Sequence, residues 1–192
     1  MAYSRDRFLS EGFGRRYLWI DVVNSMQWDG RGNVTDHLED DSWVRACLVR
    51  WDLGVWTTAM GSSTQELQKS RSLLRTLVTS WSASRTLAAP DLRAVNAALG
   101  VPVRRIFSRD PRGWHLAIRP LRSNAEWIGA SALESFAKAF TEDDPERIKI
   151  CPNGGCRWVF FDETTRNIRK WCRDAACGNR DRVRRSRLRF RS

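Results

Sequence analysis

Apolar positions along the chain recur with different periods, and each period predicts an element. Tyr17-Leu18-Trp19-Ile20-Asp21-Val22-Val23-Asn24 is a short apolar run that reads as a buried strand ending on Asp21 and Asn24. DGRGN, from Asp29 to Asn33, is a loop. Between Asp41 and Leu53, Trp43, Val44, Cys47, Leu48 and Trp51 fall at helical spacing, and Gly54 closes the segment. A longer helix is expected over Thr64 to Arg85, with Leu67, Leu74, Leu77, Val78 and Trp81 on its inner face. Pro90-Asp91 opens another in DLRAVNAALG, where Gly100 is a natural C-cap. Val101 to Ser108 and Trp114 to Pro120 alternate on either side of RDPRG and predict a β-hairpin. Ser123 to Phe140 is amphipathic, and Thr141 to Pro145 ends it. The pattern predicts an α+β body, mostly helical with a small sheet.

Charge divides the chain more sharply than hydrophobicity does. Of a formal net charge of +11, residues 151–192 carry +8 and the preceding 150 residues only +3. A clustered positive field favours polyanions, nucleic acid before an anionic membrane. No apolar run approaches the length needed to cross a bilayer, and the first residues lack the apolar core of a secretory signal. A reducing, cytoplasmic setting is therefore expected, with no membrane partner. There, paired cysteines hold metal more often than they form disulfides. Ten tryptophans are spread from Trp19 to Trp171 and are expected mostly in the core.

Four of the five cysteines lie in CPNGGCRWVFFDETTRNIRKWCRDAACGNR, as two pairs with four residues inside each and fifteen between them. Thiolates in two close pairs suit tetrahedral zinc, so Cys151, Cys156, Cys172 and Cys177 are the expected ligands of one structural ion. A disulfide pairing fits the spacing but not the compartment. A reactive thiol would want a neighbouring base, and this segment has no histidine. Trp158 to Asp162 and Ile168 to Trp171 are expected to pair as a hairpin between the two cysteine pairs. Knuckle, hairpin and a following helix through Arg191 describe a treble-clef-like finger. Cys47, on an apolar helical face, reads as a small buried hydrophobe.

The last segment, GNRDRVRRSRLRFRS, reads as a basic helix. Arg180, Arg184, Arg187 and Arg191 form one ladder; Arg182, Arg185 and Arg189 form a second. Ala176, Val183 and Phe190 recur every seven residues and give an apolar stripe expected to dock on the hairpin. Such a helix suits phosphates along a DNA duplex, with one or two arginines free for guanine edges. A solvated basic tail, an RNA-binding module or a protein-interaction module competes with that reading.

The body offers little catalytic chemistry. His37 and His115 have no partner motif, and no nucleophile-elbow, P-loop or dinucleotide fingerprint is present, so no catalytic residue is assigned. The acidic run from Asp36 to Asp41 reads as a solvated helix start. Arg75, among apolar neighbours, needs a carboxylate or an anionic ligand; Asp21 is the candidate partner. Asp21, Asn24 and Arg75 therefore mark either an internal pair or a pocket for an unidentified small molecule. An enzyme using that pocket is the minority reading.

CRWVFFD, TRNIRKWC and CGNR resemble the CGNR zinc finger of bacterial transcription regulators, with Thr165 in place of the usual Ser. LWIDVVNS, the arginine in SLLRTLV and the helix DLRAVNAALG with Asn96 resemble the ABATE domain that precedes this finger. The resemblance implies a bacterial, stress-linked or ligand-responsive DNA-binding regulator associated with the nucleoid. The expected division is an ABATE-like body over residues 1–147 and a finger with its basic helix over 148–192. One short finger rarely specifies a unique genomic site, so a homodimer or a further partner is expected.

Overall fold

The computed structural model describes residues 17–29, 33–53, 60–111, 113–122 and 124–189. In order these form α1 (Leu18–Val23), β1 (Met26–Trp28), β2 (Val34–Asp36), α2 (Asp41–Arg50), α3 (Met60–Ser84), α4 (Ala89–Leu99), β3 (Val103–Asp110), β4 (Gly113–Pro120), α5 (Glu126–Thr141), β5 (Ile148–Ile150), β6 (Val159–Phe161) and α6 (Asn179–Arg189). The strands make three separate antiparallel pairs, β1–β2, β3–β4 and β5–β6. The expected α+β class, helical with small sheets and ending in a four-cysteine unit and a basic helix, is what the chain adopts.

The core is built on α3. Leu67, Ser70, Leu74, Leu77, Val78 and Trp81 are buried along one face, the i, i+3, i+4, i+7 pattern of an amphipathic helix. α1 and α5 pack against it. A side chain at Gly129 of α5 would come within 2.9 Å of Ser70 Oγ, so the glycine permits the close crossing of the two helices. Trp19 stands edge-on to Phe136 with centroids 5.4 Å apart, and both are buried. Each such large side chain withdrawn from water contributes roughly 1.5–3 kcal/mol.

The first apolar run is a helix, which corrects the expected strand at residues 17–24. All six residues of α1 are buried. A short segment enclosed on every side carries no polar face, so period alone cannot distinguish helix from strand. The hairpin β1–β2 was also unanticipated. Its ends are tied where Asn33 N–H and Nδ2 donate to the Asp29 carboxylate at 3.2 and 2.6 Å. The middle of the expected DGRGN loop, Gly54, Ser123, Phe190 and Arg191 lie outside the described residues.

The remaining body helices follow the sequence closely. α2 begins where Asp40 accepts from Ser42 N–H at 3.0 Å, and Asp36 accepts from Leu38 N–H, so the acidic run caps and pairs. In α4, Pro90 lies in the first turn and Gly100 occupies the C-cap. The strands β3 and β4 extend further into RDPRG than their alternation predicts, with Asp110 opposite Gly113. Trp19, Trp43, Trp81 and Trp127 are buried, whereas Trp114 is 64% exposed. Cys47 is 2% exposed, and burial raises its thiol pKa well beyond the usual range. No helix among the described residues is long and apolar enough to cross a membrane.

Candidate metal centre and nucleic-acid interface

β5 and β6 put two apolar surfaces back to back. Ile148 pairs with Phe161 and Ile150 with Val159. Ile148, Val159 and Phe161 join the core of the body, while Phe160 points the other way, into the cysteine cluster. A strand buried on both faces reads as the unbroken apolar run VFF. The hairpin expected between the cysteine pairs is not formed: β6 takes its partner from residues that precede Cys151. Residues 168–171 instead form an irregular turn fastened by side chains.

Asp162 holds that turn. It is fully buried, accepts from the backbone N–H groups of Thr164 (2.9 Å) and Arg169 (2.7 Å), and pairs with Lys149 Nζ at 2.7 Å. Lys149 also donates to the carbonyls of Asn167 and Arg169. Burial opposes ionisation of Asp162, but the hydrogen bonds from Lys149, Thr164 and Arg169 outweigh it and lower its pKa to about 2. Arg169 lies over the Phe160 ring and donates to Trp171 and Cys172 carbonyls, which carries the turn to the second cysteine pair.

The knuckle at the first pair is closed by Cys151 N–H to Trp158 O and Cys156 N–H to Asn153 O, both 2.8 Å. At the second pair a wide helical turn, Asp174–Gly178, carries Cys177 into the centre. A side chain at Gly178 would collide with the Asp174 carboxylate and the Trp171 ring, so this position admits only glycine without displacing them. The Sγ atoms of Cys151, Cys156, Cys172 and Cys177 all lie within 4.8 Å of one another, and all four residues are buried. The Cys156–Cys172 and Cys172–Cys177 separations are 3.6 Å, close to the ~3.8 Å edge of a zinc tetrathiolate with bonds of about 2.3 Å. Hydrogen bonds from Cys156, Cys172 and Cys177 push Cys151 toward thiolate, while those with Cys151, Cys156 and Cys177 hold Cys172 protonated. A divalent cation relieves that conflict. The donor set is soft, complete and closed, so the four sulfurs fit one structural zinc ion with no open coordination position.

α6 leaves the metal centre directly and has no buried residue. Arg180, Arg182, Arg184, Arg185, Arg187 and Arg189 are all exposed on it. Asp181 pairs with Arg184 and Arg185 at 2.9 Å each, and Asp174 with Arg182 at 3.1 Å. Arg180 and Arg187 have no ion-pair partner among the described residues. A notch of about 340 Å³ separates the knuckle from the helix, lined by Pro152, Asn153, Gly154, Arg180, Asp181 and Arg184. Val183 of the expected apolar stripe does not dock on the sheet, being 42% exposed, and Phe190 lies outside the described residues. One valine per two turns buries too little surface to hold so cationic a helix against a sheet.

Asp21, Asn24 and Arg75 are not brought together as a pair or triad. Asp21 accepts from Trp51 Nε1 at 2.8 Å and has Arg50 Nε at 3.6 Å, so its cation is Arg50 and not Arg75. Asn24 is 1% exposed and grips Val159 of the finger twice, donating to its carbonyl (2.7 Å) and accepting from its N–H (2.9 Å). Arg75 donates to the carbonyls of Val23 (2.7 Å) and Arg157 (2.8 Å), and both Arg75 and Arg157 lie 5.5 Å from the Trp28 ring. Burial, with Arg71 and Arg157 nearby, lowers the Arg75 pKa to about 10, still charged at neutral pH. Asn24 and Arg75 thus join body to finger, a role that sequence spacing gave no means of seeing. His37 meets Gln27 and stacks on Trp43; His115 pairs with Asp110.

Burial raises Asp21 to about pH 7, against the hydrogen bond from Trp51 and the charge of Arg50. Its folded pKa exceeds the unfolded value near ~3.9. The stability it contributes is therefore complete below about pH 4 and lost as pH rises through 7. Asp21→Asn keeps an acceptor for Trp51 and removes the buried charge. Thermal melts are expected to favour the variant over wild type more at pH 8 than at pH 5. A Tm difference that does not change with pH would contradict this account.

Comparison with family models gives two matches. Residues 147–189 match the CGNR zinc finger, and residues 17–143 match ABATE, described as "Putative stress-induced transcription regulator". Neither description names an enzymatic reaction. No curated protein matches the chain.

Proposed function

The chain belongs to the ABATE family and carries its CGNR zinc finger, and from that premise we propose that it binds duplex DNA through α6, with the zinc centre fixing the helix at its N-terminal end. The observation that carries this reading is the exposure of six arginines on a helix that begins at the metal site and buries none of its residues. A solvated tail needs no rigid base. A helix that must present guanidinium groups to phosphates binds more tightly when its start is already ordered.

Arg180 and Arg187 are the primary contacts in this reading, because Asp181 and Asp174 already engage Arg182, Arg184 and Arg185. The notch beside Arg180 is of a size to accept a phosphate. A helix of eleven residues is ~16 Å long and covers less than one turn of duplex, so a unique operator requires a second copy or another partner. The body's part is to set the footing of the finger through Asn24 and Arg75, and a small molecule or partner that moved α1 or α3 would act there.

Fluorescence anisotropy of a labelled duplex, titrated at several salt concentrations, tests the proposal. Arg180→Ala with Arg187→Ala is expected to weaken binding at least tenfold, to lower the log–log salt slope by about 1.8, and to leave Tm unchanged. Wild-type affinity in that variant overturns the reading. Preferential competition by single-stranded RNA assigns the helix to RNA instead.

A further inference from the structure

β3 and β4 form an eight-residue ribbon whose two outer edges pair with no other strand among the described residues. Directly opposed residues of an antiparallel pair share a face, so Arg105/Ile118, Phe107/Leu116 and Arg109/Trp114 line one side. Ile118 packs on the core at the base of the ribbon. Beyond it, Phe107, Trp114 and Leu116 are 69%, 64% and 67% exposed. Phe107 and Trp114 stack with centroids 5.0 Å apart and planes 10° apart, and the Arg109 guanidinium lies 5.3 Å from the Trp114 centroid. Three large hydrophobes held in water by a pre-formed stack mark a surface that meets something.

We propose that this face is a second contact to duplex DNA, flanking the site held by α6, with Arg105 and Arg109 on phosphates and the Phe107–Trp114 stack against the sugar–base surface. The inference rests on the DNA reading of α6. Charge complementarity selects this occupant. A second copy docking face to face would set Arg105 and Arg109 against their own counterparts, whereas a polyanion meets them with opposite charge. The only carboxylate on either strand is Asp110, which is paired with His115. The flat indole–phenyl area beside the cations gives the sugar edges that flank each phosphate an apolar surface to lie on, which an acidic peptide's carboxylates do not need. A two-stranded ribbon is also of a width that the major groove admits.

Zinc-loaded full-length protein is titrated with a 30-base-pair duplex across a salt series. Three variants are compared with wild type: Arg105→Ala/Arg109→Ala, Phe107→Ser/Trp114→Ser, and the α6 pair Arg180→Ala/Arg187→Ala. The arginine ribbon variant is expected to weaken binding about tenfold and to lower the salt slope by nearly two units. The aromatic variant is expected to weaken binding with the slope unchanged. Wild-type affinity and slope in both ribbon variants, with binding lost in the α6 variant, overturns the ribbon inference and leaves the α6 reading intact. Loss in the ribbon variants alone overturns the α6 reading and, with it, the ribbon's place as a second contact flanking α6. Absence of binding by wild type removes both. Unchanged DNA affinity together with lost binding of a poly-glutamate peptide assigns the face to an acidic protein and overturns the proposal.

Discussion

Stripping zinc with a thiolate-competing chelator is expected to unfold residues 147–189 and to lower the Tm of the rest of the chain. Five residues form the buried cluster of the finger, and four of them are the ligand cysteines; Phe160 is the fifth. Without the ion, four buried sulfurs at van der Waals range have one buried phenyl ring and the half-buried Trp158 and Trp171 for a core. Structural zinc sites of this kind contribute on the order of 10–16 kcal/mol at neutral pH. The loss spreads because Ile148, Val159 and Phe161 belong to the same core as Trp19 and Phe136. Far-UV circular dichroism with a colorimetric zinc assay reads the effect, and Cys156→Ser is expected to reproduce it. Metal-free protein that melts at the temperature of the loaded form would refute a structural role.

Asp162→Ala is expected to cost about 3–5 kcal/mol, the range for removing one partner of a buried ion pair. Lys149 would be left with only carbonyls, and Thr164 and Arg169 would lose their shared acceptor. Because the folded pKa of Asp162, about 2, lies below its unfolded value, its contribution is complete above about pH 4 and fades as pH falls toward 2. Chemical denaturation of the zinc-loaded protein at pH 7 measures the loss. A variant within 1 kcal/mol of wild type at pH 7 would show that the turn is held by the metal alone.

The sequence made these parts unequally legible. α2 through α5 follow from period and punctuation, because each shows one wet face and one dry face; the β3–β4 ribbon, exposed along most of both strands, follows from its extended segments on either side of the RDPRG turn. α1 does not, since Leu18 to Val23 are buried all round and an enclosed run has no period to read. The ligand cysteines are legible because metal chemistry dictates residue type and pairing. The strand partner of β6 is not, because Ile148–Ile150 lies before the motif and the turn at 168–171 is fastened by Lys149 and Asp162 rather than by a ladder. Arg75 signalled a need for a partner, but a charged side chain can be satisfied by two carbonyls as well as by a carboxylate. The finger's backbone carbonyl at Arg157 was not a candidate that spacing could nominate.

Asn24 occupies both backbone polar groups of Val159, and the hidden side of the finger's small sheet is the body's own interior. The consequence concerns inheritance. A gene rearrangement that cut the chain ahead of Ile148 and spliced the remainder to another body would deliver a metal-binding loop with a bare apolar flank. Its strand β6 would also lack the Asn24 amide that pairs with Val159. Such a graft is expected to aggregate, so the finger is not a cassette that travels without its body.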